Sequence, residues 1–104
     1  MDLSYPQSDI QSGSWSVSQS LPSYSLDKNI GERIMTIDVK FKKSFSSKPK
    51  IVLSINQIDA SKEFNLRYEI EALSISRDGF VLKVKTWGDS KIFSLSGNWL
   101  ACTE

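Results

Sequence analysis

Histidine is absent from this 104-residue chain, and that single omission removes several chemistries. Without an imidazole there is no His-ligated zinc or iron, no Ser-His or Cys-His nucleophilic pair, and no histidine base near neutral pH. Cysteine is almost as scarce. Cys102 stands alone, so no internal disulfide can form, and an oxidising compartment would leave no covalent trace. An excess of charge of one sign is also missing. Lys and Arg number 13 against 12 Asp and Glu, a net of +1, which gives no strong field for nucleic acid or an anionic membrane. No apolar run approaches the ~18 residues that a membrane helix needs. The opening stretch MDLSYPQSDIQSGSW has an acid at position 2 and no apolar core, so it is not expected to be a signal peptide. A cytoplasmic protein, or one released by a leaderless route, is the expectation.

What remains is ordinary for a folded domain: 39% hydrophobic and 24% charged residues, with room for one core and one domain over 1–104. Nine of the first 25 residues are serine, but Ile10, Trp15, Val17, Leu21 and Leu26 are costly to leave in water. Residues 1–33 therefore read as a short strand around Ser12–Ser18, where serines alternate with Trp15 and Val17, followed by a long loop. From Ile34 onward a two-residue period dominates. Met35, Ile37, Val39 and Phe41 share one face. Ile51–Ile58 is a nearly continuous apolar run, and a short helical turn has room between Asp59 and Leu66. Leu66–Ser76 places Leu66, Tyr68, Ile70 and Ala72 on one face and then shifts phase to Leu73 and Ile75, predicting a bulge near Ala72. Ser76–Gly79 predicts a tight hairpin with a glycine free to take positive φ. Phe80, Leu82, Val84 and Thr86 alternate with Val81, Lys83, Lys85 and Trp87, and the turn Gly88–Ser90 leads into Ile92–Leu100. No helical stripe persists for three turns. Six strands joined by hairpin turns predict an all-β, six-stranded antiparallel sandwich or small barrel.

The motifs of catalysis are missing from this frame. The nineteen serines include no G-x-S-x-G elbow, and there is no phosphate loop or calcium-loop pattern. Glu69 and Glu71 lie two apart on one strand face, which reads as a solvated charged face flanked by Arg67 before it reads as an acid–base pair. Lys40, Lys42 and Lys43 interleave with Phe41, but the alternation turns Phe41 to the apolar face, leaving the lysines as edge protection. A nucleic-acid face is not expected, and neither is an enzyme.

Trp87 is the informative residue. It falls out of phase with the apolar face of its strand, at a strand end before a glycine turn. As a rim residue it would pack over the loop; as an exposed aromatic platform it would take the C–H face of a sugar. Arg67 has the fork geometry to bond vicinal hydroxyls, or would pair across the strand surface with Glu69 or Glu71.

Taken in order, Val39-Lys40-Phe41, Phe45, Pro49 to Asp59 (PKIVLSINQID), Asn65-Leu66-Arg67, Asp78-Gly79-Phe80, Thr86-Trp87, Lys91-Ile92-Phe93-Ser94 and Trp99-Leu100-Ala101 resemble the H-type lectin family. That family includes snail agglutinins and the C-terminal domain of the discoidins. The likeness spans roughly residues 34–101, and Gln11-Ser12-Gly13 with Trp15 resembles the family's opening strand. It implies a six-stranded sandwich that assembles as a homotrimer and binds galactose or N-acetylgalactosamine between protomers, with no metal or other cofactor. By the same resemblance Arg67 bonds sugar hydroxyls and Trp87 lies beside the sugar ring. Phe93 stands where tyrosine is often found, removing a hydroxyl donor. Gly88 stands where a snail-type member has histidine near the acetamido group, which argues against strict N-acetyl selectivity. The family's sugar-binding aspartate comes from the adjacent protomer, in the loop here spanning Leu26–Glu32; Asp27 is the choice and Glu32 the alternative. The expected partners are glycans with terminal galactose-type sugars. The competing reading is a structural or protein-interaction trimer on the same scaffold.

Overall fold

Alternation of apolar and polar side chains becomes six strands: β1 (Ile10–Ser18), β2 (Arg33–Lys40), β3 (Lys50–Ala60), β4 (Glu69–Leu73), β5 (Gly79–Thr86) and β6 (Ile92–Cys102). The computed structural model describes residues 9–103; residues 1–8, the first part of the stretch expected to lack a leader, lie outside these. The strands form two three-stranded antiparallel sheets ordered β1-β6-β3 and β2-β5-β4. The expected all-β sandwich is what folds. No helix among the described residues is long and apolar enough to cross a membrane.

The two central strands supply much of the core. Phe80, Leu82, Val84 and Thr86 of β5 point inward, opposite Ile92, Leu95, Trp99 and Ala101 of β6. Leu82, Ile92 and Leu95 are fully buried, each contributing ~1.5–3 kcal/mol by leaving water. One end of the core is aromatic: Phe41 meets Phe45 edge-on at 4.9 Å between ring centroids, and both Phe41 and Phe80 pack on Trp99. Phe41 is thus core, as its phase required.

Three local expectations need correction. The strand expected over Leu66–Ser76 is only Glu69–Leu73, and its pairing with β5 runs in continuous register with no bulge at Ala72. Ser74 adopts a left-handed backbone, φ 52°, and this turn, not a bulge, shifts the phase; Leu66 and Tyr68 are exposed. The irregularities lie instead between β3 and β6, where Asn56 is an extra residue on β3 and Phe93 an extra residue on β6. The first moves the inward set from Ile51, Leu53 and Ile55 to Ile58 and Ala60. Gly79 does not take positive φ. It is needed for space, since a Cβ there would overlap the Val39 carbonyl oxygen. Residues 61–68 contain turns and no helix.

Candidate functional site

At the C-terminal end of β5 the inward row closes with Thr86, and the next residue, Trp87, turns outward with 39% of its surface exposed. Gly88 follows in left-handed conformation at φ 67°, and Asp89-Ser90 completes the turn. The segment before β4 crosses this turn and is fastened to it by two buried hydroxyls. Ser90 Oγ accepts the Arg67 backbone N–H at 2.9 Å and donates to the Asn65 carbonyl at 2.5 Å. Thr86 Oγ1 donates to the Arg67 carbonyl at 2.5 Å. Arg67 is thereby held through both its own N–H and its own carbonyl.

Its side chain lies across the turn. The Arg67 Nη1 donates to Asp89 Oδ1 at 2.8 Å, in an ion pair whose members stay partly exposed. A Cβ on Gly88 would sit 3.0 Å from the same Nη1, so glycine here provides both the backbone angle and the room for the guanidinium. Neither Glu69 nor Glu71 is the partner of Arg67. They pair instead with Lys85 and Lys83. Lys85 Nζ stands 5.5 Å from the centre of the Trp87 ring, within reach of Glu69 at 3.4 Å and Glu32 at 3.7 Å. Two cations, Arg67 and Lys85, therefore face three carboxylates, Asp89, Glu69 and Glu32.

The structure brings Arg67, Trp87 and Gly88 together, with Glu32 joined to them through Lys85. Asp27 and Phe93 form a second group. Asp27 accepts from Gln19 Nε2 at 2.8 Å and from Lys28 Nζ at 3.2 Å, while the Gln19 backbone N–H donates to the Phe93 carbonyl at 3.2 Å. Among the described residues no hydrogen bond or ion pair joins Asp27 to Arg67. Burial of Asp27 would raise its pKa, but the bonds from Gln19 and Lys28 outweigh it and hold the carboxyl below its usual range. Beside it, burial and then the Asp27 charge push the Tyr24 hydroxyl well above the ordinary phenol range; that hydroxyl donates to the Ile92 carbonyl at 2.7 Å. Two accepted bonds leave the Asp27 carboxylate with lone pairs to spare.

Sequence reasoning missed four residues that build this site: Thr86 as a hydrogen-bonding group, Asp89, Ser90, and Arg33, whose guanidinium donates to the Ser90 and Gly88 carbonyls of the turn at 2.8 and 2.9 Å. Two of them left a signal. Arg33 shares the inward phase of Met35 and Ile37, where a charge is out of place, and Thr86 ends an otherwise apolar row. No group of three or more His, Cys, Asp or Glu side chains among the described residues is placed to hold a metal ion. A separate cleft of about 810 Å³, bordered by Trp15, Val39, Phe45 and Trp99 near β1 and β2, contains none of the site residues.

Comparison with known proteins identifies the family. The profile of the H-type lectin domain matches residues 36–102. A protein of Fuscovulum blasticum described as ATP synthase subunits region ORF 7 is 34% identical over 71 residues, 68% of this chain and 62% of its own length. Discoidin-2 of Dictyostelium discoideum is 28% identical over 99 residues, 94% of this chain and 37% of its own. The structure of recombinant discoidin II from the same organism superposes with a TM-score of 0.82 at 27% identity, covering 98% of this chain and 39% of that one. The chain thus spans less than two thirds of the length of each of these relatives.

Proposed function

Because this chain belongs to the H-type lectin family, we propose that it is a carbohydrate-binding module for terminal galactose or N-acetylgalactosamine-type sugars, working as a multivalent homotrimer with sites at protomer boundaries. The observation that carries this reading is the pairing of an exposed indole with an anchored guanidinium. Trp87 offers a flat apolar face, and Arg67, fixed through both its backbone and Asp89, offers directed N–H groups beside it. A sugar stacks its C–H face on such a ring and sends hydroxyls to the fork. The guanidinium has five N–H donors, and Asp89 engages only Nη1.

The charge balance narrows the ligand. The two exposed cations beside the ring are each paired, Arg67 with Asp89 and Lys85 with Glu69 and Glu32, so in this reading the ligand is a neutral glycan. Gly88 brings no side-chain donor of its own to an acetamido group, so galactose and N-acetylgalactosamine bind comparably. Asp27 or, through its exposed carboxylate, Glu32 completes the site of the adjacent protomer. Trimer formation is supported by the outward face of the β1-β6-β3 sheet, where Ser12–Ser16, Val52–Gln57 and Ser94–Leu100 contain no charged residue. Burying such a face against symmetry mates costs no charge desolvation. Linked shallow sites raise avidity by ~10²–10⁴ when glycan spacing fits. No step of this function needs a metal, cofactor or bond cleavage.

A glycan array probed with the purified protein, with and without EDTA, tests the reading. Binding to neutral galactose-terminated glycans that persists in EDTA is expected. Exclusive binding to sialylated or sulfated glycans, or to none, would refute it.

A further inference from the structure

Arg33 is a charged residue on the inward face of β2, only 6% exposed, and none of its nitrogens meets a carboxylate among the described residues. Its guanidinium is satisfied by backbone carbonyls alone. Nε donates to Gly31 at 2.8 Å, Nη1 to Lys28 and Ser90 at 2.8 Å each, and Nη2 to Gly88 at 2.9 Å. A buried charge without a counter-ion is costly, and this one is met by four converging carbonyl dipoles drawn from two separate segments. One segment is the loop that carries Asp27 and Glu32. The other is the turn that carries Trp87 and Asp89.

On the turn the grip is specific. The two carbonyls it holds, those of Gly88 and Ser90, flank Asp89, whose carboxylate bonds Arg67. The Gly88 carbonyl also accepts the Gly31 N–H at 2.9 Å, so loop and turn are cross-linked at one oxygen. Lys91 Nζ adds a further bond from the turn's end to the Asn29 carbonyl. We propose that Arg33 is a positioning residue of the sugar site, setting the Trp87–Ser90 turn from behind and, through Asp89, the direction of the Arg67 fork. This inference rests on the lectin reading above for its consequence in sugar binding, but the geometric part stands on the turn alone. Lysine cannot replace it, because a point-like ammonium with three N–H groups cannot reproduce a planar fork that meets four carbonyls.

The test uses Arg33→Lys and Arg33→Gln in the full chain, with galactose titrations well below the melting temperature and amide and indole N–H resonances recorded by NMR. The expected result is a folded protein whose affinity falls roughly tenfold or more, since small displacements of positioning groups cost that much. Of the three tryptophan indole signals, that of Trp87 should move while those of Trp15 and Trp99 stay. A role confined to stability would lower the melting temperature but leave the folded protein's affinity and Trp87 signal unchanged, and that result overturns the proposal. If the parent binds no galactose-type sugar, the lectin reading fails separately, and the Trp87 and Gly88 signals of the variants still decide the positioning role. If neither variant folds, the Arg33 Nε–H signal of the parent is followed instead. It should shift with galactose, or with Asp89→Asn in a parent that binds none, and an unmoved signal overturns the proposal.

Discussion

At the scale of single residues, the proposed site depends on two side chains with different kinds of work. Trp87 presents its ring outside the core, so Trp87→Ala should abolish detectable sugar binding in calorimetry while leaving the fold intact. Arg67→Lys keeps the charge but loses the planar fork, and should weaken binding by more than about tenfold. Glu71→Gln should leave it unchanged, because Glu71 pairs with Lys83, away from the turn. Unfolding of Trp87→Ala would show that the ring supports the core. Asp27 is tied to its own protomer through Gln19 and Lys28, and its lowered pKa makes stability depend on pH. The folded state binds the proton less readily than the unfolded one. The stabilisation is therefore complete above the unfolded aspartate value of about 3.9 and is lost as pH falls through the lower folded value. The melting temperature of the parent should exceed that of Asp27→Asn at neutral pH, and the gap should close in acid. A gap that is constant across the titration would show that the carboxylate charge is not what Gln19 and Lys28 stabilise.

At the scale of elements, the strand period was legible almost throughout. Met35, Ile37 and Val39 on β2 and the inward row of β5 lie as their two-residue alternation required. The alternation failed where the backbone departs from regular pairing. The bulge at Asn56 was passed over because Ile51–Ile58 reads as one nearly continuous apolar run; its mark is the adjacent polar pair Asn56-Gln57 between Ile55 and Ile58, which breaks the two-residue period. The apparent bulge at Ala72 was the end of a strand, turned by Ser74. Register in this region depends on close approach between β3 and β6. A Cβ on Gly97 would overlap the Ser54 carbonyl oxygen, a backbone atom that cannot move alone. Gly97→Ala should cost about 3 kcal/mol or more in a denaturant titration. A loss below about 0.5 kcal/mol, the range of ordinary surface changes, would mean that the sheet opens there without strain.

At the scale of the whole molecule, two sheets enclose one core, and the outward face of β1-β6-β3 is without charge across its middle, between Lys50 and Asp59 at its two ends. Light scattering at micromolar concentration should give about three times the chain mass of 11.7 kDa. A monomer would remove both the trimer and the cross-protomer acid. With no histidine and a single cysteine, imidazole-ligated metal sites, Ser-His and Cys-His pairs and an internal disulfide were closed to these residues before any fold was considered. The alternation of side chains determined the all-β class, and the ordered motifs from Val39 to Ala101 determined the family, because both are properties of residues near one another in the chain. The partners of Arg67 were decided only in three dimensions. Its carboxylate is Asp89, 22 residues away, not the adjacent Glu69 or Glu71, and its peptide is held by Thr86 and Ser90 from the far side of a turn. The carbonyl cradle of Arg33 likewise draws on residues 55 and 57 positions distant. A backbone carbonyl is the same group at every position, so no sequence pattern marks which ones converge; only the crossing of loop and turn brings these four together.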